Sequence, residues 1–454
     1  MNTIPFVNEG LGNSSYVLEL GNGDAILIDP DRSVERYLAA LQKRGLQLTG
    51  VFETHLHADF VSGAHELAAQ TGATIFLAAD AGSKLPVQPL RRGQTLQVNG
   101  ARITALGSPG HTPEHLSFAV EAVSGPPLLF SGGSLIVGGA ARTDLISADL
   151  TEALTRAQFH TLRGAFTQLP DETLLFPTHG GGSFCSTGAG QERTSTLGRE
   201  RRENPLLSIS DEDEFVEWFP TTFPAAPDYF FRLRGFNQAG PRLRVEILPP
   251  PALSAADFDL RRAGAVVIDT RSKEEYAEGH IRGSLSNPFR DDYAVWLGWL
   301  VPEDANLLFV TDDASVERIV DQSLLVGYER FAGWLQGGVA AWQSSGRQLR
   351  RIDLVDAAKA RALLLDGAVS LDVREPQEYA AGHIDSAIRI PLGTLSANTD
   401  RIPRDRPVVV YCGHGERAST GASLLETAGF RDIVNLDGGI GAWQEAGFKP
   451  SREV

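Results

Sequence analysis

Cys412 is the residue of this chain best suited to covalent chemistry. It follows the apolar run 407–411, which predicts a buried strand, and it precedes a helical pattern that begins near Ser419. A short loop between a strand end and a helix turns backbone N–H groups toward one point, where the helix dipole adds positive potential. This setting favours a thiolate, or a persulfide carried on the sulfur. The plainer alternative is a buried thiol that acts only as a small apolar side chain.

The loop around Cys412 also contains the groups expected of an anion-binding site. Two glycines and Arg417 are packed into this short stretch, which makes the ordinary buried thiol the weaker interpretation. We therefore predict that Cys412 and Arg417 are catalytic. The predicted persulfide-binding or anion-binding loop contains Gly413, His414, Gly415, Glu416 and Ala418.

Three separated motifs near the C-terminus resemble those of the rhodanese sulfurtransferases. The Cys412 loop matches the C-x-x-G-x-R pattern, the stretch 371–384 resembles the first signature of the family, and 436–443 resembles its C-terminal signature. Because all three occur in order, 351–454 is identified as an active rhodanese domain. The resemblance implies that Cys412 takes sulfur from thiosulfate or a persulfide, becomes a persulfide, and passes the sulfur to a thiol or cyanide.

The rhodanese pattern occurs once more, earlier in the chain. The stretch 269–281 repeats the pattern of 372–384, and a period of about a hundred residues indicates a duplicated domain. Where the second copy has its cysteine loop, the first has the acidic stretch 311–313, which would repel anionic sulfur. We predict that 246–350 is a rhodanese-like domain that lacks the catalytic cysteine.

A second group of reactive side chains follows a predicted strand at 50–54. Two histidines separated by one residue, with a carboxylate two residues further on, place imidazole and oxygen ligands on one loop. Such clusters suit zinc or iron. Two further histidines fall in later predicted loops. The candidate metal ligands are His55, His57 and His111, with Asp59 and His179 nearby.

The region around these histidines alternates between strand and helix patterns. A helix pattern at 34–44 lies between strand patterns at 25–29 and 50–54, for example. Together with the order of the histidines, this makes 1–245 resemble the metallo-β-lactamase superfamily. The resemblance implies an α/β fold of the αββα sandwich type, with metal at the strand ends.

Three further stretches are most similar to persulfide dioxygenases that are fused to rhodanese domains. They are 58–60, 142–145 and 194–205. The resemblance implies oxidation of a thiol persulfide, such as glutathione persulfide, by O2 to thiol and sulfite. It also implies Fe(II) held by two histidines and one aspartate, and the histidines carried over by motif are His55 and His111.

The aspartate of that iron site has no counterpart here. In the matching segment 130–133 its place is taken by Gly133, and Phe60 replaces the second-metal histidine of binuclear hydrolases. Three alternatives follow: metal held weakly by three histidines, an oxygen ligand recruited from Asp59, or an empty scaffold. The expected cofactor is Fe(II) or zinc, bound weakly or not at all, and Gly133→Asp should raise the bound iron.

Cys185 is the other cysteine of the chain. It lies in the glycine-rich stretch 180–190, directly after His179, and the resemblance to fused persulfide dioxygenases adds it to the catalytic candidates. The alternative is an ordinary thiol in a loop. Two cysteines in 454 residues exclude a disulfide framework and predict a reducing, cytoplasmic location.

Length and charge limit the organisation and the partners. A chain of 454 residues suggests three domains of about 150 residues, placed here at 1–245, 246–350 and 351–454. The net charge of −16 argues against nucleic acid and anionic membranes, and neither a membrane span nor a signal peptide is expected. The predicted partner is a thiol persulfide or thiosulfate, and homo-oligomerisation stays open.

Sulfane-sulfur metabolism is the function that these predictions favour. It combines sulfur transfer through Cys412 with a persulfide-dioxygenase-like metal domain that Gly133 impairs. Two alternatives remain: a hydrolase of the metallo-β-lactamase type, and a non-catalytic module that binds or senses persulfide.

Overall fold

The computed structural model describes most of the chain. Residues 188–190, which end the predicted glycine-rich stretch around Cys185, lie outside the described residues. In the described parts of the chain, no helix is long and apolar enough to cross a membrane. The described residues are 1–121, 125–187 and 192–452.

The first of two compact units comprises Met1–Ile247 together with Asp321–Gly327. It contains two sheets, and in each the strands lie side by side in chain order. The first sheet contains β1 (Asn2–Asn8), β2 (Asn13–Glu19), β3 (Asp24–Ile28), β4 (Gln47–Phe52), β5 (Thr74–Ala78) and β6 (Gln88–Leu90). The second contains β7 (Thr95–Val98), β8 (Ala101–Gly107), β9 (Leu116–Glu121), β10 (Leu128–Gly132), β11 (Leu174–Pro177) and β12 (Ser195–Thr196). The helices are α1 (Val34–Arg44), α2 (Ala64–Thr71), α3 (Ala148–Gly164), α4 (Leu197–Glu203), α5 (Pro205–Ser208), α6 (Glu212–Trp218) and α7 (Phe230–Ala239).

Alternating apolar residues pack the two sheets against each other and against helices. On β2, Tyr16 belongs to the core between the sheets. It shares this core with Phe52 of β4, in the same sheet, and with Phe118 of β9, in the other sheet. The next residue, Val17, points to the opposite face and packs in a second core with Tyr37 of α1. A strand with two buried faces needs this period of two. The predicted αββα sandwich is confirmed.

The second unit comprises Leu248–Val320 and Tyr328–Val454 and contains two five-stranded parallel sheets. The first has β13 (Ala252–Leu253), β14 (Val266–Asp269), β15 (Leu285–Ser286), β16 (Leu307–Val310) and β17 (Phe331–Leu335), with α8 (Ala255–Arg261), α9 (Lys273–Glu278), α10 (Tyr293–Leu300), α11 (Val316–Leu325) and α12 (Gly338–Ser344). The second has β18 (Asp353–Val355), β19 (Val369–Asp372), β20 (Ile388–Arg389), β21 (Val408–Tyr411) and β22 (Ile433–Leu436), with α13 (Ala357–Leu365), α14 (Pro376–Ala381), α15 (Glu416–Thr427) and α16 (Gly439–Glu445). Short 3-10 helices occupy Phe219–Thr222, Arg244–Glu246, Arg262–Gly264, Asp313–Ser315 and Leu392–Arg401.

The two parallel sheets have the same topology. Their strand orders are β13-β17-β16-β14-β15 and β18-β22-β21-β19-β20, which agree position by position. The predicted pair of rhodanese-like α/β domains is confirmed. The helix after Cys412 begins at Glu416, earlier than the predicted start near Ser419. Gly415 adopts a φ of 111° at its N-cap and ends the loop there.

A buried carboxylate ends the strand beside the central one, β14 or β19, in each rhodanese-like domain. In the second copy Asp372 accepts hydrogen bonds from Arg374, at 2.9 Å from Nε and 2.6 Å from Nη2. Arg374 Nη2 also donates to the Gly382 carbonyl at 2.7 Å, which ties α14 to the sheet. Asp269 and Arg271 repeat the arrangement in the first copy. Both strand ends therefore depend on an internal ion pair.

Removal of the Arg374 guanidinium should destabilise the second unit. Arg374→Met leaves the fully buried Asp372 carboxylate without its partner, a change that typically costs about 3–5 kcal/mol. Calorimetry of the full chain should show one unfolding transition moving to lower temperature. The exposed Arg431→Met is the matched control and should leave the thermogram unchanged. An unchanged transition in Arg374→Met would show that the pair does not stabilise the domain.

Candidate functional site

The candidate metal ligands stand just beyond strand ends of the first unit. His55 follows β4, His111 lies between β8 and β9, and His179 follows β11. Each of these side chains is at most 1% exposed. β3 pairs in parallel with β4, and β10 with β11, so the C-terminal ends of these strands bring the loops to one edge of the sandwich.

Three histidine rings converge in this loop cluster. Each of His55, His111 and His179 places one ring nitrogen within 4.8 Å of the other two. The Nε2 atoms of His55 and His179 are 3.4 Å apart. Among the described residues, His111 Nε2 has no hydrogen-bond partner. The structure therefore unites His55 and His111 with His179, which the sequence placed only nearby.

In His55 and His111, a hydrogen bond at Nδ1, on the side of the ring away from the cluster, fixes the tautomer. His111 Nδ1 donates to the Arg142 carbonyl at 2.7 Å, since a carbonyl can only accept. His55 Nδ1 lies 2.8 Å from the Thr54 hydroxyl, whose own hydrogen is donated to Asp29. With the proton on Nδ1, both rings present an Nε2 lone pair to the centre.

His179 has a carboxylate on the same side of its ring. Its Nδ1 lies 3.2 Å from an oxygen of Asp59, within ion-pair distance but without hydrogen-bond geometry. Burial lowers the pKa of His111 to about 3 and that of His55 well below its usual value, so neither ring carries a proton on Nε2 at neutral pH. Three converging lone pairs repel one another unless a cation lies between them. The donor set therefore fits a metal ion.

His57 points elsewhere. Its Nε2 lies 3.0 Å from Glu53 and 3.3 Å from Asp29. Burial alone would lower the pKa of His57, but the two carboxylates outweigh it and raise this pKa to about 10. His57 also brings one ligand atom within 4.8 Å of atoms of Asp59 and His179. The prediction that His57 is a metal ligand stays a prediction, and its surroundings indicate an internal ion pair.

Gly133 leaves room for the histidine cluster. A Cβ atom at this position would lie 2.6 Å from His111 Cδ2 and 2.9 Å from the Cβ of Ala141. The Gly133 N–H donates to His115 Nε2 at 3.1 Å. At Gly132, with a φ of 57°, a Cβ would collide with the His115 ring. The two glycines thus allow two imidazoles to pack directly against the strand end.

The sequence did not assign an orienting role to the residues around the candidate ligands. Arg142 falls in a stretch that the resemblance identified, Thr54 directly precedes His55, and His115 could have been found as a second histidine four residues after His111. Its Nδ1 lies 2.9 Å from Ser108 Oγ. Because both of its ring nitrogens are engaged, His115 is a support and not a ligand. The orienting residues are Asp29, Thr54, His115 and Arg142.

Cys185 lies in the same loop cluster and is fully buried. Burial raises the pKa of its thiol well above the usual value, and the nearby Asp59 carboxylate adds to the effect. Its backbone carbonyl accepts from the Arg142 N–H at 2.9 Å. Arg142 therefore links the Cys185 segment to the candidate ligand His111. The catalytic role of Cys185 stays a prediction.

The second unit presents Cys412 at the end of β21. The thiol is 1% exposed, and its sulfur accepts a hydrogen bond from the Gly415 N–H at 3.0 Å. The loop leads directly into α15, whose N-terminal dipole favours negative charge on the sulfur. The structure thus combines in one turn the thiol and the backbone donor that the sequence predicted.

Contacts from outside the loop fix the direction of its carbonyl groups. The Cys412 carbonyl accepts from the Ile440 N–H at 2.8 Å, and the Gly415 carbonyl accepts from Asn435 Nδ2 at 3.1 Å. Gly439, with a φ of 56°, permits this approach, because a Cβ there would collide with the Cys412 carbonyl. Outward carbonyls in a planar backbone leave the adjoining N–H groups free to turn inward.

Arg417 is held in place by a carboxylate from α14. Its two terminal nitrogens each lie 2.7 Å from an oxygen of Glu378. Burial opposes the charge, but Glu378 outweighs it and raises the pKa of Arg417, so the guanidinium stays positive. A Cβ on Gly413 would lie 3.5 Å from Arg417 Nη2. The arginine therefore borders the cysteine loop and is oriented by a bidentate pair.

The equivalent place in the first rhodanese-like copy holds acidic side chains. A cavity of about 540 Å³ is lined by Asp312, Asp313 and Arg271, among others. The Asp312 carboxylate accepts from the Ser315 N–H at 3.0 Å, so a carboxylate caps the start of the following helix in this copy. This agrees with the prediction that 246–350 lacks a sulfur-carrying site.

Comparison with known proteins agrees with these two folds. The Metallo-beta-lactamase superfamily matches residues 8–179, and the Rhodanese-like domain matches 254–345 and 356–446. A hydroxyacylglutathione hydrolase of Cereibacter sphaeroides is 31% identical over 61% of this chain and 94% of its own length. The mitochondrial persulfide dioxygenase ETHE1 of Homo sapiens is 27% identical over 43% of this chain and 70% of its own.

Solved structures add a relative that covers more of the chain. A metallo-beta-lactamase from Staphylococcus aureus aligns with a TM-score of 0.66 and 29% identity, over 74% of this chain and 98% of the other. Two probable adenylyltransferase/sulfurtransferases of Mycobacterium tuberculosis are spanned by the chain over only 37% of their length. The chain belongs to the metallo-beta-lactamase superfamily and carries two rhodanese-like domains after the domain that defines the superfamily.

Proposed function

We propose that this protein transfers sulfane sulfur through Cys412. The hydrogen bond from the Gly415 N–H to the Cys412 sulfur, at 3.0 Å, is the observation that supports this proposal best. A donor at this distance stabilises negative charge on the attacking thiolate, and equally on the terminal sulfur of a persulfide seated in the loop. Arg417 adds positive charge at the rim. The family supports sulfur chemistry, and the geometry supports this residue as its carrier.

The transfer takes place in two balanced displacements. The Cys412 thiolate attacks the outer sulfur of thiosulfate or of a thiol persulfide. The old S–S bond breaks, and sulfite or the thiolate leaves with the bonding electron pair. An acceptor thiolate then attacks the terminal sulfur of the Cys412 persulfide, and Cys412 leaves as a thiolate. No oxidant or reductant is consumed.

Sulfur transfer should depend on Cys412 and not on the other cysteine. Cys412→Ser removes the only proposed carrier, so release of sulfite from thiosulfate in the presence of a thiol acceptor should fall to background. Cys185→Ser should retain the rate, because Cys185 lies in the other unit. Wild-type sulfite release by Cys412→Ser would refute the assignment.

We further propose that the first unit binds a metal ion through His55, His111 and His179. The convergence of the three ring nitrogens and the fixed tautomers of His55 and His111 support this set, which replaces the expected aspartate by a third imidazole. Iron bound there would supply the O2 chemistry of a persulfide dioxygenase. Arg142, Thr54 and Asp59 would hold the three rings in place. In this proposal Gly133 provides space for His111 and is not simply a lost ligand.

Loss of the third imidazole should abolish metal binding. His179→Ala removes one of the three proposed ligands. The affinity for the metal should therefore fall by more than the roughly 10- to 100-fold that is typical when a residue supporting a ligand is lost. Metal analysis of chains loaded with Fe(II) or zinc under nitrogen measures the stoichiometry. The control is His160→Ala, whose ring is exposed on α3. Equal metal content in His179→Ala and the parent chain would remove His179 from the ligand set.

The variant Gly133→Asp distinguishes a site of three histidines from a site that has an aspartate ligand. We now expect Gly133→Asp to lower bound iron, contrary to the expectation from the motif alone, because its Cβ would displace His111. Gly133→Ala introduces the same Cβ without a carboxylate and should behave alike. If Gly133→Asp binds more iron than the parent chain while Gly133→Ala binds less, the carboxylate is a ligand and the three-histidine proposal is wrong.

A further inference from the structure

We infer that Lys273, in the rhodanese-like domain without a catalytic cysteine, is a positioning residue for the Cys412 loop of the other copy. Lys273 begins α9, and both copies belong to the same compact unit. Its Nζ donates to the His414 carbonyl at 2.7 Å. This inference deepens the proposed function and rests on it only where turnover is measured.

The contact acts through a single peptide group. The His414 carbonyl and the Gly415 N–H are the two ends of one planar amide, so the direction of the first sets the direction of the second. Lys273 holds the carbonyl end, and the N–H end donates to the Cys412 sulfur at 3.0 Å. Gly415 has a φ of 111° and no side chain, so its conformation is weakly restrained by itself. A hydrogen bond from outside the loop can therefore fix the orientation of this peptide group.

The charge on Lys273 strengthens the same donor. A charge-assisted hydrogen bond to a carbonyl polarises the amide, and the N–H at its far end becomes a better donor to anionic sulfur. The Lys273 side chain is only 11% exposed, so water screens it little. A Cβ on Gly415 would lie 3.0 Å from Nζ, which shows how closely the ammonium group packs on the loop.

Lys273 also neutralises carboxylates that border the loop. Its Nζ lies 2.9 Å from Asp437 and 3.6 Å from Glu416, with Glu274 at 3.7 Å. Burial opposes the ammonium charge, but the carboxylates outweigh it and raise the pKa of Lys273. Without the ammonium group, two carboxylates close to the loop would repel a thiolate and an anionic sulfur donor.

The active copy does not provide this cation from its own sequence. In the repeat, Asp269 to Glu275 corresponds to Asp372 to Glu378, which places Pro376 where the first copy has Lys273. Proline has neither a charge nor an N–H. The copy that lacks the nucleophile thus contributes the side chain that the copy with the nucleophile lacks.

The test compares Lys273→Met, Lys273→Arg and the exposed control Lys359→Met in the full chain. The rate of iodoacetamide alkylation at Cys412, followed by peptide mass spectrometry across pH, reports thiolate formation without any turnover. In Lys273→Met the midpoint of this profile should rise by about half to one pH unit, as expected for loss of a nearby favourable charge. Sulfite release from thiosulfate should fall roughly tenfold, less than for deletion of an oxyanion donor.

The conservative variant distinguishes positioning from bulk packing. Lys273→Arg retains the charge and a donor, and should return the alkylation midpoint close to that of the parent chain. Lys359→Met should match the parent in both measurements. A parental alkylation profile in Lys273→Met overturns the inference, even if Cys412→Ser still abolishes sulfur transfer. If both Lys273 variants lose thermal stability and shift the profile equally, Lys273 is only structural and the inference also fails.

Discussion

A buried polar atom must find a partner, and this constraint shapes both candidate sites. In the first unit, oxygens of Arg142, Thr54 and Asp59 face the rear nitrogens of three histidines, so the remaining lone pairs converge. In the second unit, groups outside the Cys412 loop satisfy its carbonyls, so that an N–H turns toward the sulfur. At each candidate site, the contacts made by neighbouring groups thus determine which ring nitrogens or N–H groups point to the centre.

The same constraint acts in both copies of the duplicated rhodanese-like domain. Both rhodanese-like copies keep the buried aspartate–arginine pair at the end of the strand beside the central one, where the arginine satisfies a buried carboxylate. Only the second copy keeps the cysteine. In the first, Asp312 accepts a hydrogen bond from the Ser315 N–H, and acidic side chains lie where the second copy has the cysteine. The scaffold is thus common to both copies, whereas the thiol is present in one.

The sequence predicted most of the fold because the periodic patterns are strong. The helix at 34–44 matches α1 in both bounds, and the strand ahead of Cys412 lies where the apolar run placed it. The order of motifs gave the two superfamilies. These features depend on local patterns and on residues with fixed spacing, which a single sequence displays directly.

The pairing of side chains across loops could not be predicted in the same way. Motif spacing predicts the ligand role for His57, and the structure adds that its ring lies against Asp29 and Glu53. The motif marks Gly133 as a missing carboxylate, and only the 2.6 Å approach of its Cβ position to His111 indicates that it provides space. The pairs His57–Asp29 and Gly133–His111 join different loops, where a single sequence carries no distance information.

The most direct test of the account is the mass of the Cys412 peptide after the full chain has been incubated with thiosulfate and no acceptor. We expect the added mass of one sulfur atom on Cys412. This mass should be lost again when a thiol acceptor is supplied, and it should be absent from Cys185. An unmodified Cys412 peptide, or added sulfur on Cys185 alone, would contradict the claim that the Cys412 loop is the sulfur-carrying centre of this protein.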